Sequence, residues 1–120
     1  IYGALHGIRC ACRTELQAVD LAGSAIHLYR IAQEALTNAV RHAKATEIAV
    51  TLVHEDGALV LTITDDGVGI PQGAGLRHGM GLTSMSHRAE AIGAYLTIAA
   101  GPRGGTTVRC VLPIEDEEDA

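Results

Sequence analysis

The sequence predicts an α+β fold, a two-layer α/β sandwich in which helices pack on one face of a mixed sheet. Strand patterns are interspersed with two amphipathic helices, which is typical of layered architectures. A hairpin signal in the middle of the chain excludes a purely parallel sheet. The 120 residues are 48% hydrophobic, enough for one buried core. We expect residues 1–114 to form one domain and residues 115–120 a disordered acidic tail.

Composition and charge exclude several classes of function. Only 2% of residues are aromatic, so Leu, Ile, Val, Ala and Met must form the core. The net charge of −5 comes largely from residues 115–119, and a body close to neutral predicts neither nucleic-acid binding nor membrane-surface binding. An odd cysteine count of 3 and the lack of a long apolar run favour the cytoplasm. The chain begins at Ile1 without Met, so we expect it to be part of a longer protein.

A strand and a long helix are predicted in the first third of the chain. Apolar and polar residues alternate from Ile8 to Arg13, the period of a half-buried strand, which predicts that Cys10 and Cys12 both point inward. Ser24 is predicted to cap the helix that follows. The apolar residues of that helix recur at the spacing of one face: Leu28, Ile31, Ala32, Ala35, Leu36, Ala39, Val40 and Ala43.

A β-hairpin is predicted next. Alternating apolar residues precede and follow Asp56-Gly57, a pair typical of two-residue hairpin turns. The apolar positions before the turn are Ile48, Val50 and Leu52, and those after it are Leu59, Leu61 and Ile63.

A second helix and two final strands complete the pattern. The helix is marked by Leu82, Met85, Ala89 and Ile92, and Gly93 is expected at its C-terminal cap. Strands are expected at about 95–100 and 106–112, joined by a glycine-containing turn. Pro113 is expected to end the fold.

Asp65 is the first residue that suggests chemistry. Strand alternation places it on the buried face with Leu59, Leu61 and Ile63, where a carboxylate needs a partner. Gly67 and the following glycine, Gly69, allow a sharp turn and the close approach of a ligand. A carboxylate accepts hydrogen bonds from an amino group such as that of adenine. The alternative is an ordinary polar turn after a strand.

A polar stripe lies along the long helix. Glu34, Asn38 and His42 are spaced four apart and border the apolar face. The amide oxygen of Asn38 suits Mg²⁺, Glu34 could orient a water, and His42 with neighbouring Arg41 could face phosphates. The alternative is a solvated helix face.

Two glycine-containing segments add weaker signals. Gly79-Met80-Gly81-Leu82 opens the second helix, where free N–H groups suit a polyphosphate, although a flexible loop would have the same composition. Gly104-Gly105-Thr106 begins the last strand, either as a simple hairpin or with a functional Thr106 hydroxyl.

These motifs, in this order, resemble the ATP-binding domain of bacterial sensor histidine kinases, within the GHKL superfamily. Residues 28–43 (LYRIAQEALTNAVRHA) look like the N box, residues 65–70 (DDGVGI) like the G1 box, and residues 79–82 (GMGL) like the G2 box. Gly105-Thr106, leading to Leu112-Pro113, resembles the terminal strand. The resemblance covers the chain from about Ile8 to Pro113.

Within that family the chain looks like the branch that signals to response regulators with LuxR-type DNA-binding domains. The stretch from Tyr29 to Ala35 and a short lid at about 71–78, without an F box, are similar to that branch.

The resemblance implies a Bergerat-type fold that binds ATP and Mg²⁺. It implies that Asp65 accepts the adenine amino group and that Thr106 supports a bridging water. Asn38 would bind Mg²⁺, and Glu34 would orient the water of the metal or polarise the acceptor. The other residues that match ligand-binding positions are Gly67, Gly69, Ile70, Arg41, His42, Gly79, Met80, Gly81 and Leu82.

The resemblance also implies the partners. The γ-phosphate would pass to a His on a dimerisation domain of the same parent protein, and from there to a response regulator. None of the six His residues lies on a candidate acceptor helix, so we expect ATP binding but little kinase activity from the chain alone. We expect no nucleic-acid partner and no membrane insertion of this chain; the resemblance is compatible with a membrane-anchored parent protein.

Three alternatives stay open. One is an anti-sigma-factor-type serine kinase, which shares the superfamily fold. Another is a non-catalytic module of the same fold that senses ATP. A third is a zinc site begun by His6, Cys10 and Cys12, for which no fourth ligand is evident.

Overall fold

A computed structural model describes residues 2–5, 8–15, 23–41, 44–69, 82–101 and 104–114. Within these ranges the elements follow the order β1 (Tyr2–Leu5), β2 (Ile8–Glu15), α1 (Ser24–Arg41), β3 (Glu47–Glu55), β4 (Ala58–Asp65), α2 (Leu82–Ala91), β5 (Tyr95–Ala100) and β6 (Thr106–Pro113). The described strands form one six-stranded sheet in the order β1-β2-β3-β4-β6-β5. Only the β2–β3 pair is parallel, so the sheet is mixed, as predicted.

The two helices form the second layer. α1 packs on β3 and β4, α2 packs on β5, and the helices contact each other. Leu28, Ile31, Ala35 and Ala39 are the buried face of α1, which agrees with the predicted helical period. From α2, Leu82, Met85 and Ala89 enter the same core. The predicted α+β sandwich, with helices on one face of the sheet, is confirmed.

The core between the layers contains no aromatic side chain among its buried residues. Ile31, Leu59, Ile63, Met85 and Cys110 are its largest fully buried side chains. Burial raises the pKa of the Cys110 thiol, because desolvation penalises the thiolate. Cys110 therefore behaves as a small apolar core residue.

The β3–β4 hairpin has the predicted two-residue turn. Glu55 pairs with Ala58, and Asp56 and Gly57 have φ angles of 50° and 73°. Two consecutive positive φ values match the turn whose twist suits a β-hairpin. Asp-Gly supplies them because Asp tolerates the left-handed region and Gly enters it freely.

The end of α2 is also as predicted. Gly93 has a φ of 71°. Its N–H donates to Glu90 O at 3.1 Å, and Ala94 N–H donates to Ala89 O at 2.9 Å. This pair of bonds is a Schellman motif, which satisfies carbonyl groups that the helix leaves without partners.

The structure differs from the predictions at two places. β1 was not predicted, because Tyr2-Gly3-Ala4-Leu5 has no alternating pattern and the strand forms by pairing with β2. The prediction that Cys12 points inward is wrong. Burial falls along β2 from Ile8 through half-buried Cys10 to exposed Cys12.

Pro113 ends the last strand, as expected. Pro113 pairs with Ala58, and the chain continues in register, with Ile114 N–H donating to Gly57 O at 2.9 Å. The acidic tail, residues 115–120, lies outside the described residues.

Candidate functional site

The buried face of the β4–β6 pair changes from apolar to polar at one end. Leu59–Leu112, Leu61–Cys110 and Ile63–Val108 are opposite pairs, all buried. The last pair of this register is Thr64–Thr107, and the residues next to it are Asp65 and Thr106. These two are the buried polar or charged residues of the described chain, at 7% and 6% exposure. Buried polar groups need partners, so a polar pair here marks a candidate ligand site.

The Asp65 carboxylate is held by the turn that follows it. Gly67 N–H donates to Oδ1 at 2.9 Å, a turn in which the side chain bonds the backbone two residues on. The described residues provide no further hydrogen-bond donor to this carboxylate. A carboxylate oxygen accepts hydrogen bonds, and Oδ2 is the candidate acceptor for a ligand amino group.

Two glycines bring the β5–β6 turn against Asp65. Gly105 has a φ of 76°, and a Cβ there would overlap the Asp65 carbonyl oxygen and lie 3.0 Å from Oδ1. Gly69, with a φ of 83°, lies so close that a Cβ would be 3.3 Å from Gly105 O. The backbones approach at these points because both side chains are missing. Asp65, Gly67, Gly69 and Thr106 are thus brought together as predicted, with Gly105 as a further member.

The side chain of the next residue, Asp66, is hydrogen-bonded to Thr46 and Glu47 rather than to the turn around Asp65. Its Oδ1 accepts from Thr46 N–H at 2.8 Å and from Glu47 N–H at 2.9 Å. Its Oδ2 accepts from the Thr46 hydroxyl at 2.6 Å. The Thr46 hydroxyl, followed by the two backbone N–H groups, lowers the pKa of Asp66 to about 2. The two adjacent carboxylates therefore have different environments. Asp65 is buried, whereas Asp66 links the end of β4 by hydrogen bonds to the segment after α1.

The polar stripe predicted on the long helix lies on α1. Glu34 and Asn38 are half-buried at the border of the apolar face, and Arg41 is exposed at the last position of the helix. Asn38 makes a polar interaction of its own within the fold. Ala39, the next residue, is in the same core cluster as Ile63, two positions before Asp65. α1 and the end of β4 therefore belong to one packed unit.

Several predicted site residues lie outside the described residues. They are His42, Ile70, Gly79, Met80 and Gly81. Leu82 is the first residue of α2, and its side chain is buried in the core at 8% exposure. A ligand at this helix end would therefore meet the Leu82 backbone, since the side chain is buried in the core.

The zinc hypothesis gains no support. Across the described ranges, no three His, Cys, Asp or Glu side chains form a group that could hold a metal ion. Cys12 is exposed, and His6 lies outside those ranges.

A groove of about 470 Å³ lies on α1, away from the Asp65–Thr106 pair. Its lining residues are Tyr29, Ala32, Gln33, Leu36, Thr37, Val40 and Arg41. It shares only Arg41 with the predicted site. We place the candidate site at the end of β4 because buried polar groups and glycine contacts converge there, whereas the groove is mostly apolar.

Sequence reasoning missed three residues of this region. Gly105 was noticed as part of a turn, but its contact with Asp65 depends on strand order. Asp66 was noticed only as part of the Asp-Asp-Gly turn, and Thr46 was not noticed. The hydrogen bonds between Asp66 and Thr46 join positions 20 residues apart. A second Asp directly after the buried one was the available signal, because two adjacent strand-end carboxylates cannot share one environment.

This fold and site define a class: two-layer α/β domains with a buried carboxylate at a strand end and close glycine contacts around it. The chain belongs to the histidine kinase-, DNA gyrase B-, and HSP90-like ATPase family, whose model matches residues 23–116. Within that family, the chain is similar to a sensor protein and to a histidine kinase, as the following comparisons show.

Curated relatives and solved structures agree with this assignment. The chain is 38% identical over 92 residues to the sensor protein VraS of Staphylococcus aureus, covering 77% of this chain and 26% of the relative. It is also similar to the blue-light activated histidine kinase of Erythrobacter litoralis EL346, with a TM-score of 0.67 and 26% identity over 92% of this chain and 37% of that one.

A third comparison shows the fold alone. The ATP-binding domain of PrrB from Mycobacterium tuberculosis superposes with a TM-score of 0.70 at 22% identity, covering 93% of this chain and 84% of that one. The chain spans about a quarter of the length of the curated relatives it matches. Neither described helix is long and apolar enough to cross a membrane.

Proposed function

We propose that this chain binds ATP with Mg²⁺ and donates the γ-phosphate to a His on a separate dimerisation domain of the same parent protein. The single observation that carries the proposal is that Asp65 and Thr106, both buried, lie at the end of an otherwise apolar buried face of the β4–β6 pair. A flat adenine ring needs apolar surroundings and one acceptor for its amino group. The apolar buried face of the strands and the Asp65 carboxylate would supply both.

The residues present fit a nucleotide. Oδ2 of Asp65 would accept the adenine amino group, while Gly67 N–H holds Oδ1 in place. Thr106 would hold a water between the base and the strand. The backbones of Gly69 and Gly105 lie in close contact because neither residue has a side chain, and this would leave room beside them for the adenine ring. Ile70, which lies outside the described residues, would be a further neighbour of the ring.

The residues on α1 fit Mg²⁺. Asn38 and Glu34 present oxygen atoms one helical turn apart at the border of the core, and oxygen ligands are those Mg²⁺ prefers. Bound Mg²⁺ would neutralise charge on the phosphates. Glu34 would orient a water or polarise the acceptor, and Asn38 would be the direct ligand.

The phosphate end of the site would be cationic and rich in N–H groups. Arg41 ends α1, and His42 follows it. α2 begins at Leu82, so Gly79, Met80 and Gly81 lead into a helix N-terminus, which favours anions. In the transfer, the bond from the γ-phosphorus to the β,γ-bridging oxygen breaks, a bond to the acceptor imidazole nitrogen forms, and ADP leaves. The chain contributes mainly position and charge.

The test supplies the missing acceptor. The chain is mixed with γ-labelled ATP, Mg²⁺ and a dimerisation domain carrying the acceptor His, taken from a sensor histidine kinase. We expect label on the acceptor that is lost in acid and survives base, as phosphohistidine does, with little label on this chain alone. A matched reaction uses the acceptor with its His replaced by Ala.

Other results would replace the proposal. Base-labile, acid-stable label on a Ser of a partner would support the anti-sigma-factor-type serine kinase. Tight ATP binding without transfer to any acceptor would support the ATP-sensing module. A response regulator is expected to receive the phosphoryl group only from the labelled acceptor, and its LuxR-type DNA-binding domain remains a prediction.

A further inference from the structure

The Asp66 carboxylate is a junction between two parts of the chain that are distant in sequence. It accepts three hydrogen bonds of 2.6 to 2.9 Å from Thr46 and Glu47. The backbone closes the same junction, since Asp66 N–H donates to Glu47 O at 3.2 Å. Four hydrogen bonds therefore tie the residue after Asp65 to the start of β3.

The segment Ala45-Thr46 is in turn hydrogen-bonded to the helix and to a second strand. Ala45 N–H donates to Ala39 O in the last turns of α1 at 3.3 Å. Thr46 O accepts from Arg9 N–H of β2 at 2.9 Å. The segment that Asp66 holds is thus the short connection between α1, which carries Glu34 and Asn38, and the sheet, which carries Asp65.

We propose that Asp66 is a positioning residue that holds the adenine-reading carboxylate of Asp65 in register with the metal-binding face of α1. The inference rests on the proposed function, because it assumes that Asp65 reads adenine and that Asn38 binds Mg²⁺. Asp66 contacts no part of the nucleotide in this role.

The geometry favours a function in positioning over one in general stability. Asp66 is exposed, so its bonds bury no apolar surface and contribute little packing. All three donors converge on one carboxylate, which fixes its direction and the direction of the peptide behind it. The preceding residue is Asp65, whose Oδ1 is already restrained by Gly67 N–H. With Asp66 fixed, the remaining freedom of the Asp65 side chain is small.

The experiment measures how strongly the chain prefers the adenine amino group. Affinities are measured by calorimetry, with Mg²⁺, for ATP and for purine riboside triphosphate, which has the same ring without the amino group. In the parent chain we expect ATP to bind about tenfold more tightly than purine riboside triphosphate, since only ATP can donate a hydrogen bond from the amino group to the charged Asp65 carboxylate. Asp66→Ala should reduce this preference to about threefold or less.

The matched control is Asp56→Asn. Asp56 is also an Asp before a Gly at an end of β4, but it lies in the hairpin turn, and Asn tolerates its positive φ. This variant should keep the full preference. The Asp66→Ala chain is measured below its melting temperature, where it is folded. If it also kept the full preference for ATP, the proposal would be overturned, because loss of a merely structural residue lowers stability and leaves selectivity intact.

A second pair of variants covers the possibility that Asp66→Ala does not fold. Thr46→Val removes only the 2.6 Å hydroxyl bond and keeps both backbone donors, and Thr46→Ser restores the hydroxyl. We expect a reduced preference in Thr46→Val and its recovery in Thr46→Ser; equal preference in both would overturn the proposal. A parent chain that binds both nucleotides equally would instead overturn the adenine-reading function of Asp65, and the role of Asp66 with it.

Discussion

The two ends of β4 carry the same dipeptide in different surroundings. Asp56-Gly57 precedes the strand and Asp66-Gly67 follows it. Around Gly57 the space is open, with nothing within 4 Å of a Cβ built there. At the other end, the Asp66 carboxylate has three donors, and Gly105 lies against Asp65. The first turn reverses the chain locally, whereas the second is held by residues at or just before the starts of β3 and β6.

This difference shows that a turn signal alone does not identify a site. Both Asp-Gly pairs satisfy the local chemistry of a turn. What distinguishes the second is a carboxylate on the buried face and glycines whose missing side chains allow backbones to approach. Substitutions should therefore cost more at the site end than at the hairpin end.

The largest effect is expected for Gly105→Ala. The new Cβ would overlap the Asp65 carbonyl oxygen and would also hold a positive φ, so the β5–β6 turn must move. We expect a loss of about 3 kcal/mol or more in the free energy of unfolding, measured with urea, together with loss of ATP binding.

Gly104→Ala is the matched control for that variant. Gly104 has a φ of 82° in the same turn, but nothing lies within 4 Å of a Cβ there. It should lose only about 1 kcal/mol. Equal losses at Gly104 and Gly105 would mean that the close approach to Asp65 contributes nothing.

At the hairpin end, Gly57→Ala should have a moderate effect confined to stability. The φ of 73° is strained for Ala, but the space is open. We expect a loss of about 1 kcal/mol in urea unfolding and unchanged ATP affinity. A change in affinity would show that the two ends of β4 are coupled, contrary to the comparison.

The smallest effect is expected from acid titration of Asp66. Its pKa is lowered from 3.8 to about 2 in the folded chain, chiefly by the Thr46 hydroxyl. The folded state therefore binds fewer protons than the unfolded state in this window. The stabilisation is fully present above pH 3.8 and is lost as the pH falls through about 2.

Urea midpoints between pH 2 and 5 check this dependence. The difference between the parent chain and Asp66→Asn should shrink as the pH falls. A difference that stays constant across the window would contradict the assigned hydrogen bonds. Asp56→Asn is the control, since its midpoint should follow that of the parent.

The sequence predicted most elements because their signals are local. Helical spacing located α1 and α2, Asp56-Gly57 located the hairpin, and alternation placed Asp65 on the buried face. β1 could not be predicted, since it depends on pairing with β2. The predicted burial of Cys12 was wrong because alternation specifies a face of the strand but not how far the core extends along it.

The candidate site divides in the same way. Asp65, Gly67, Gly69 and Thr106 were predicted from motifs, and the structure brings them together. Gly105 and the Asp66–Thr46 bonds depend on which strands become neighbours, and no periodicity encodes that order. Alternation and turn chemistry therefore found the carboxylate, whereas the residues that position it required the three-dimensional fold.

The most direct test of the central claim is calorimetric titration of Mg-ATP into the parent chain and into Asp65→Asn. Asn can keep the bond from Gly67 N–H through its Oδ1, but its Nδ2 would then face the adenine amino group as donor to donor. We predict binding to the parent and at least about tenfold weaker binding to the variant. Equal affinity in two folded proteins would contradict the claim that Asp65 reads the base.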